Sequence, residues 1–384
     1  MKGIFPLDKF KKLETPFYYY NTDLLRETLN SVRTESDKYG YHIHYAVKAN
    51  ANPRILSIIR EHGLGADCVS GGEIQAAVDA GFPADKIVFA GVGKDDWEIN
   101  LGLDKNILCF NAESIPELEV INELAGKKNK IASVALRLNP EVDAHTHRYI
   151  TTGLKENKFG INLSQLDDVL DALKNLDHLK LIGIHFHIGS QITDLDSFKS
   201  LCSRVKEIQN KFASKRIVLE NINFGGGLGI DYNHPNRQAI PDFKTYFEIF
   251  YKFFPTQANQ QIHFEPGRSI VGQCGSLISK ILYVKEGSVK KFAILDAGFT
   301  ELIRPALYGA YHKIENISSE EPMETYDVVG PVCESSDFFG KEVDLNKVHR
   351  GDLFAIRSAG AYGEIMASQY NCRKLPKAYF SDLI

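Results

Sequence analysis

Cysteine is scarce in this sequence: six among 384 residues, standing apart at positions 68, 109, 202, 274, 333 and 372. No Cys-x-x-Cys pair occurs, which argues against a zinc site or dithiol centre and for reduced thiols rather than a disulfide framework; no bound metal is expected. The sequence also lacks an apolar run of transmembrane length, a low-complexity tract and a block of like charge. Lys and Arg number 45 against 49 Asp and Glu, a net charge of −4, so there is no basic field for nucleic acid or an anionic membrane surface. The opening MKGIFPLDKFKKLETP has neither a continuous apolar core nor a small-residue cleavage site. The expectation is a cytoplasmic globular protein without a signal peptide. A hydrophobic content of 43% supports a sizeable core.

What is present is a regular alternation. Short apolar runs appear at 42–48, 65–69, 86–91, 107–111, 131–139, 179–189, 217–226 and 262–267. Between them lie stretches with apolar residues at helical spacing, several opening on Ser, Asp or Pro and closing near Gly. Eight strands with intervening helices predict parallel pairing through right-handed crossovers. The expected fold is α/β, a (β/α)8 barrel over 25–272; an open doubly wound sheet is the alternative. After residue 272 strand-like segments follow one another across turns, and FYYYN (17–21) reads as a strand of that same β-rich domain, expected to comprise 1–24 and 273–384.

Chemistry in such a barrel gathers at the C-terminal strand ends. In YHIHYAVKANAN (41–52) alternation puts His44, Ala46 and Lys48 on one face and Ile43, Tyr45 and Val47 on the other. Asp67, Arg137, His185, His187, Asn221, Asn223, His263 and Glu265 fall on inward faces at or near other strand ends. Buried charges are costly unless paired or occupied, so their convergence on one mouth predicts a site. NFGGGLG (223–229, with Gly226 and Gly227), HIGS (187–190, with Ser190) and EPGR (265–268, with Gly267 and Arg268) open loops there. Glycine lets backbone N–H groups approach an anion, and Arg adds a bidentate fork, so these loops read as a phosphate cradle. A strand-end lysine, a phosphate cradle and a carboxylate suit pyridoxal 5'-phosphate: Lys48 to hold it as a Schiff base, Glu265 for its pyridine nitrogen, His187 for a ring face.

At this point YAVKAN, GADCVSGGE, FHIGSQI, NFGGGLG, EPGR, DAGFTELIRPALYGAYH, GPVCESSD and GAYGEIMASQYNCRKLP together resemble the signatures of the diaminopimelate decarboxylases, of the alanine-racemase-like fold type. The resemblance runs from about residue 14 to 378. It implies a pyridoxal phosphate enzyme converting meso-diaminopimelate to L-lysine and carbon dioxide, the last step of lysine biosynthesis. It implies Lys48 as the cofactor's lysine, His187 stacked on the ring, Glu265 at the ring nitrogen, and Ser190, Gly227 and the backbone of Glu265–Arg268 at the phosphate. Asp67, Glu73 and Arg137 match supporting positions. Arg268, Arg304 and Tyr308 match residues that hold the distal amino-acid end of the substrate. Cys333, Glu334 and Tyr362 match positions completing the pocket, Cys333 as the candidate proton donor. In relatives Cys333 and Glu334 serve the partner subunit's site, so the resemblance implies a homodimer with shared active sites. Ser336 departs from the family, where glycine is commoner. The competing readings are a related decarboxylase of ornithine, arginine or carboxynorspermidine, a racemase on the same fold, and a non-catalytic cofactor carrier.

Overall fold

The computed structural model describes residues 5–142 and 158–384. After β1 (Phe17–Tyr20) come eight strands: β2 (His42–Ala46), β3 (Gly65–Cys68), β4 (Ile87–Phe89), β5 (Cys109–Ala112), β6 (Ala132–Arg137), β7 (Leu179–His185), β8 (Asn221–Asn223) and β9 (Gln261–Phe264). Each pairs in parallel with the next, and β9 closes on β2, His42 opposite His263 and Ile43 opposite Phe264. The closed barrel is thus the solution, not the open sheet.

The helices between these strands begin where the sequence offers caps. Ser70 and Ser114 each accept a hydrogen bond from the backbone N–H three residues on, and Asn52 accepts from Arg54 ahead of a helix with Pro53 in its first turn. The inward–outward alternation is plain at β9. Phe264 points out into a cluster with Phe224, Tyr246, Phe247 and Phe250, the Phe264–Phe250 ring centroids 4.7 Å apart at 73°. Its neighbours His263 and Glu265 turn the other way and are buried among polar groups.

The strands are shorter than their apolar runs suggest. β2 stops at Ala46 and β7 at His185, so Lys48 and His187 lie beyond the ladder rather than in it. Local polar groups account for the first of these ends: Tyr45 donates its hydroxyl to the Asn50 carbonyl at 2.9 Å, and Asn50 Oδ1 accepts from Asn52 N–H at 2.9 Å, which turns the chain after Ala46. Lys48 is carried in the resulting turn of 3-10 helix, Val47–Ala49.

The remaining strands are β10 (Gly275–Glu286), β11 (Lys291–Leu295), β12 (Ile314–Asn316), β13 (Met323–Val329), β14 (Phe338–Asn346), β15 (Leu353–Ile356) and β16 (Lys377–Phe380). They form a sheet in the order β12-β15-β10-β11-β13-β14, and β1 joins it antiparallel to β10 and parallel to β16. The aromatic FYYY run is wholly buried there. The chain divides into two compact units: Leu29–Gly229 with Asp242–Gly267, holding the barrel, and residues up to Thr28 with Ile230–Pro241 and Arg268–Ile384, holding the sheet. Among the described residues no helix is long and apolar enough to cross a membrane, and no group of three or more His, Cys, Asp and Glu is arranged to hold a metal ion.

Candidate active site

In the barrel unit the inward polar residues form one electrostatic system around Glu265. Its Oε2 lies 2.8 Å from His185 Nε2, and its Oε1 accepts from Asn223 Nδ2 at 2.6 Å. Burial alone would raise the Glu265 carboxyl, but the neighbouring His185, His44 and His187 outweigh it and hold the group down at about 2. Glu265 is therefore an ionised carboxylate, and each oxygen retains a second lone-pair direction. His185 and Asn223 face inward as alternation predicts, but nothing in the sequence marks them as the partners of Glu265. That pairing follows from the barrel register, which sets His185 opposite Asn223 and Asn223 opposite His263.

Lys48 is half-buried, and its charge acts on three groups of this mouth. Burial and the Glu265 charge push Asp67 well above the usual carboxylate range, with Lys48 and Arg137 pulling the other way. Glu73 is raised by burial against the opposing Val69 N–H and Lys48, its Oε2 accepting from Val69 N–H at 2.8 Å. His187 is pushed well below its ordinary value by burial, then by Lys48 and Arg137, which makes it a neutral ring. Arg137 itself pairs with Glu113 at 2.7 Å, both nearly inaccessible. Glu113 went unnoticed in the sequence, although the alternation of β5 (Cys109, Asn111, Glu113) points it inward.

The glycines of the mouth are there because side chains would not fit. A Cβ on Gly226 would lie 2.2 Å from the Glu265 carbonyl oxygen, and Gly227 has φ +117° with the Gly189 carbonyl 2.8 Å from its Cβ position. Ile192 N–H bonds to the Gly227 carbonyl at 2.8 Å, tying this turn to the loop that carries Ser190. Gly267 packs on Ala46 and Ala49, where a Cβ would come within 3.0 and 3.1 Å of theirs. Backbone is thereby brought close to backbone around a small anion-sized turn.

These residues fit pyridoxal phosphate. Asp67 Oδ1 is buried with no hydrogen-bond partner among the described residues, an acceptor awaiting a donor. A carboxylate held ionised, a neutral imidazole, a primary amine and a cradle of close-packed glycines match the ring nitrogen, ring face, aldehyde and phosphate of that cofactor.

The second set of predicted residues meets in the sheet unit. Arg268 and Arg304 both donate to one phenolic oxygen, that of Tyr232: Arg268 Nη1 at 2.5 Å and Arg304 Nη1 at 2.9 Å. Arg304 also donates to His312 Nε2 at 2.9 Å, and His312 Nδ1 bonds the Arg357 carbonyl at 2.9 Å. Burial and then the Arg304 charge hold His312 down at about 3, so it is neutral and accepts. Tyr362 lies beside Arg268, whose guanidinium carbon is 4.8 Å from the ring centroid; Tyr362 has φ +56°, a left-handed conformation rare outside glycine. Arg304 opens a five-residue helix that ends on Tyr308. Tyr232 and His312 were not picked out from the sequence; Tyr232 sits in a loop with no periodicity to read. Cys333 and Glu334 are both exposed, and Glu334 Oε1 accepts from the Tyr370 hydroxyl at 2.8 Å.

Comparison with known proteins identifies a family. Residues 23–272 match the family model described as pyridoxal-dependent decarboxylase, pyridoxal binding domain. The chain is 68% identical over 383 residues to the diaminopimelate decarboxylase of Bacteroides thetaiotaomicron, covering 100% of this chain and 99% of that one. It is 43% identical over 360 residues to the enzyme of that name from Neisseria meningitidis serogroup B, covering 94% and 86%. The crystal structure of Helicobacter pylori diaminopimelate decarboxylase complexed with L-lysine superposes with a TM-score of 0.91 at 40% identity, over 97% of this chain and 93% of that one. The chain belongs to the pyridoxal-dependent decarboxylases and, among them, to the diaminopimelate decarboxylases.

Proposed function

We propose that this chain removes the carboxylate at the D-centre of meso-diaminopimelate, releasing L-lysine and carbon dioxide, with Lys48, Glu265 and Cys333 in the chemical roles and Arg268, Arg304 and Tyr308 at the distal end of the substrate. Pyridoxal phosphate, when bound, accepts the electron pair freed at the α-carbon as carbon dioxide leaves. Lys48 would supply the primary amine that holds the cofactor. The carboxylate of Glu265, low in pKa and oriented by His185 and Asn223, keeps the ring nitrogen protonated. Neutral His187 would face the ring without adding a charge to it. Asp67, Glu73 and Arg137 set the field around Lys48. The turns bearing Ser190, Gly226, Gly227, Gly267 and Arg268 would hold the phosphate, with Tyr362 beside Arg268. Cys333 returns a proton from Sγ to the α-carbon. The exposure of Cys333 and Glu334 supports their use in a partner's site, and hence a homodimer. Six scattered cysteines without a Cys-x-x-Cys pair support a cytoplasmic enzyme.

The observation that carries the substrate class is Arg304. Arg304 is 6% exposed, and among the described residues no carboxylate forms an ion pair with it. A buried cation without its counter-charge is costly, and a substrate carboxylate supplies what is missing. A diamine-forming enzyme has no use for such a cation. Cofactor-loaded protein is expected to release carbon dioxide from meso-diaminopimelate and not from ornithine or arginine; turnover of ornithine without turnover of diaminopimelate contradicts the assignment.

A further inference from the structure

The hydroxyl of Tyr232 has hydrogen-bonding capacity left over. A phenol offers one O–H and two lone pairs. The Tyr232 oxygen already accepts from Arg268 Nη1 and Arg304 Nη1, so both lone pairs are used. No described residue accepts its own proton. Tyr232 is buried, its ring set edge-on to neutral His312 at 5.1 Å, with guanidinium carbons 5.8 and 5.2 Å from its centroid. His312 Nε2 is committed to Arg304 and cannot take the phenolic proton. A donor fixed between two guanidinium groups, with no acceptor among the described residues, is complementary to a carboxylate that both arginines also bind.

We infer that Tyr232 is a specificity-determining residue of the distal subsite: its O–H donates to the carboxylate at the far end of the substrate, while its oxygen holds the two arginines in place to receive the same group. This rests on the reading of Arg304 as a carboxylate partner. The amide and alcohol analogues of an amino acid, or a diamine, offer no anion for this three-donor arrangement, so selection against them is assigned to Tyr232 as well as to the arginines.

The test uses cofactor-loaded protein and two probes, L-lysine, which retains the distal amino-acid end, and 1,5-diaminopentane, which lacks its carboxylate. Binding is measured by calorimetry for the wild type, Tyr232→Phe, Tyr232→Gln and Arg304→Gln, with circular dichroism and cofactor absorbance checking the fold. Removal of a donor to a charged group is expected to weaken lysine binding about 10- to 100-fold in Tyr232→Phe and to leave the diamine unchanged. Tyr232→Gln, which restores an acceptor for the arginines and an N–H for the ligand, binds lysine more tightly than Tyr232→Phe. Wild-type lysine affinity in Tyr232→Phe together with weakened binding in Arg304→Gln overturns the role of Tyr232 and leaves the substrate reading standing. Wild-type affinity in both variants overturns the substrate reading itself. Equal weakening of Tyr232→Phe and Tyr232→Gln for both probes overturns the hydrogen-bond role in favour of a purely structural one.

Discussion

Replacing Lys48 with alanine is expected to abolish the visible absorbance of the bound cofactor and to lower decarboxylation of meso-diaminopimelate on the order of 10^4-fold or more, since no other group replaces a covalent amine. The fold is expected to survive. Lys48 is half-buried in one turn of 3-10 helix, and that turn is set by the bonds of Tyr45 and Asn50 rather than by the lysine side chain. Lys48→Arg separates charge from chemistry: it keeps a cation beside Asp67 and Glu73 but offers no amine for carbonyl attack, so it too is expected to lack the absorbance. Spectra of the three purified proteins check this. A Lys48→Ala protein that keeps both colour and turnover removes Lys48 from the chemistry.

Glu265→Gln is expected to cost about 10^2- to 10^3-fold in kcat while the cofactor remains attached, because Lys48 and the glycine turns are untouched. The loss falls on the transition state, in which charge grows on the cofactor ring. A glutamine remains within reach of Asn223 and His185 but holds no negative charge to keep the ring nitrogen protonated. The same substitution has a signature in stability. The Glu265 carboxyl titrates near 2 in the folded protein against an ordinary value of 4.5. A folded value below the unfolded one means that its stabilisation is present above pH 4.5 and is lost as pH falls from there toward 2. Unfolding midpoints measured across that window are expected to fall more steeply for the wild type than for Glu265→Gln. Identical slopes contradict the assignment of Glu265 as a charged barrel residue.

Much of this was legible in the sequence because the elements involved obey simple periods. Barrel strands alternate every second residue, which sets Asp67 and Arg137 on inward faces, and capped amphipathic stretches mark the helices. The strand ends were less legible: β2 and β7 stop before Lys48 and His187, the first of them where the bonds of Tyr45 and Asn50 turn the chain. Partnerships across the barrel were not legible at all. His185 and Asn223 meet Glu265 through strand register, which a single chain pattern does not encode. Tyr232 joins Arg268 and Arg304 across 36 and 72 residues from a loop without periodicity. In the sheet, β12, β14 and β16 escaped notice because they are short or mostly solvated, as in the exposed centre of FFGKEVDLN.

The central claim is that Lys48 is the residue on which the cofactor is held. Reduction of cofactor-loaded protein with borohydride, followed by mass-spectrometric mapping of its peptides, tests this directly. One equivalent of the reduced pyridoxyl phosphate per chain is expected, carried on Lys48 alone. A label on another lysine, or a loaded protein that acquires none, contradicts it.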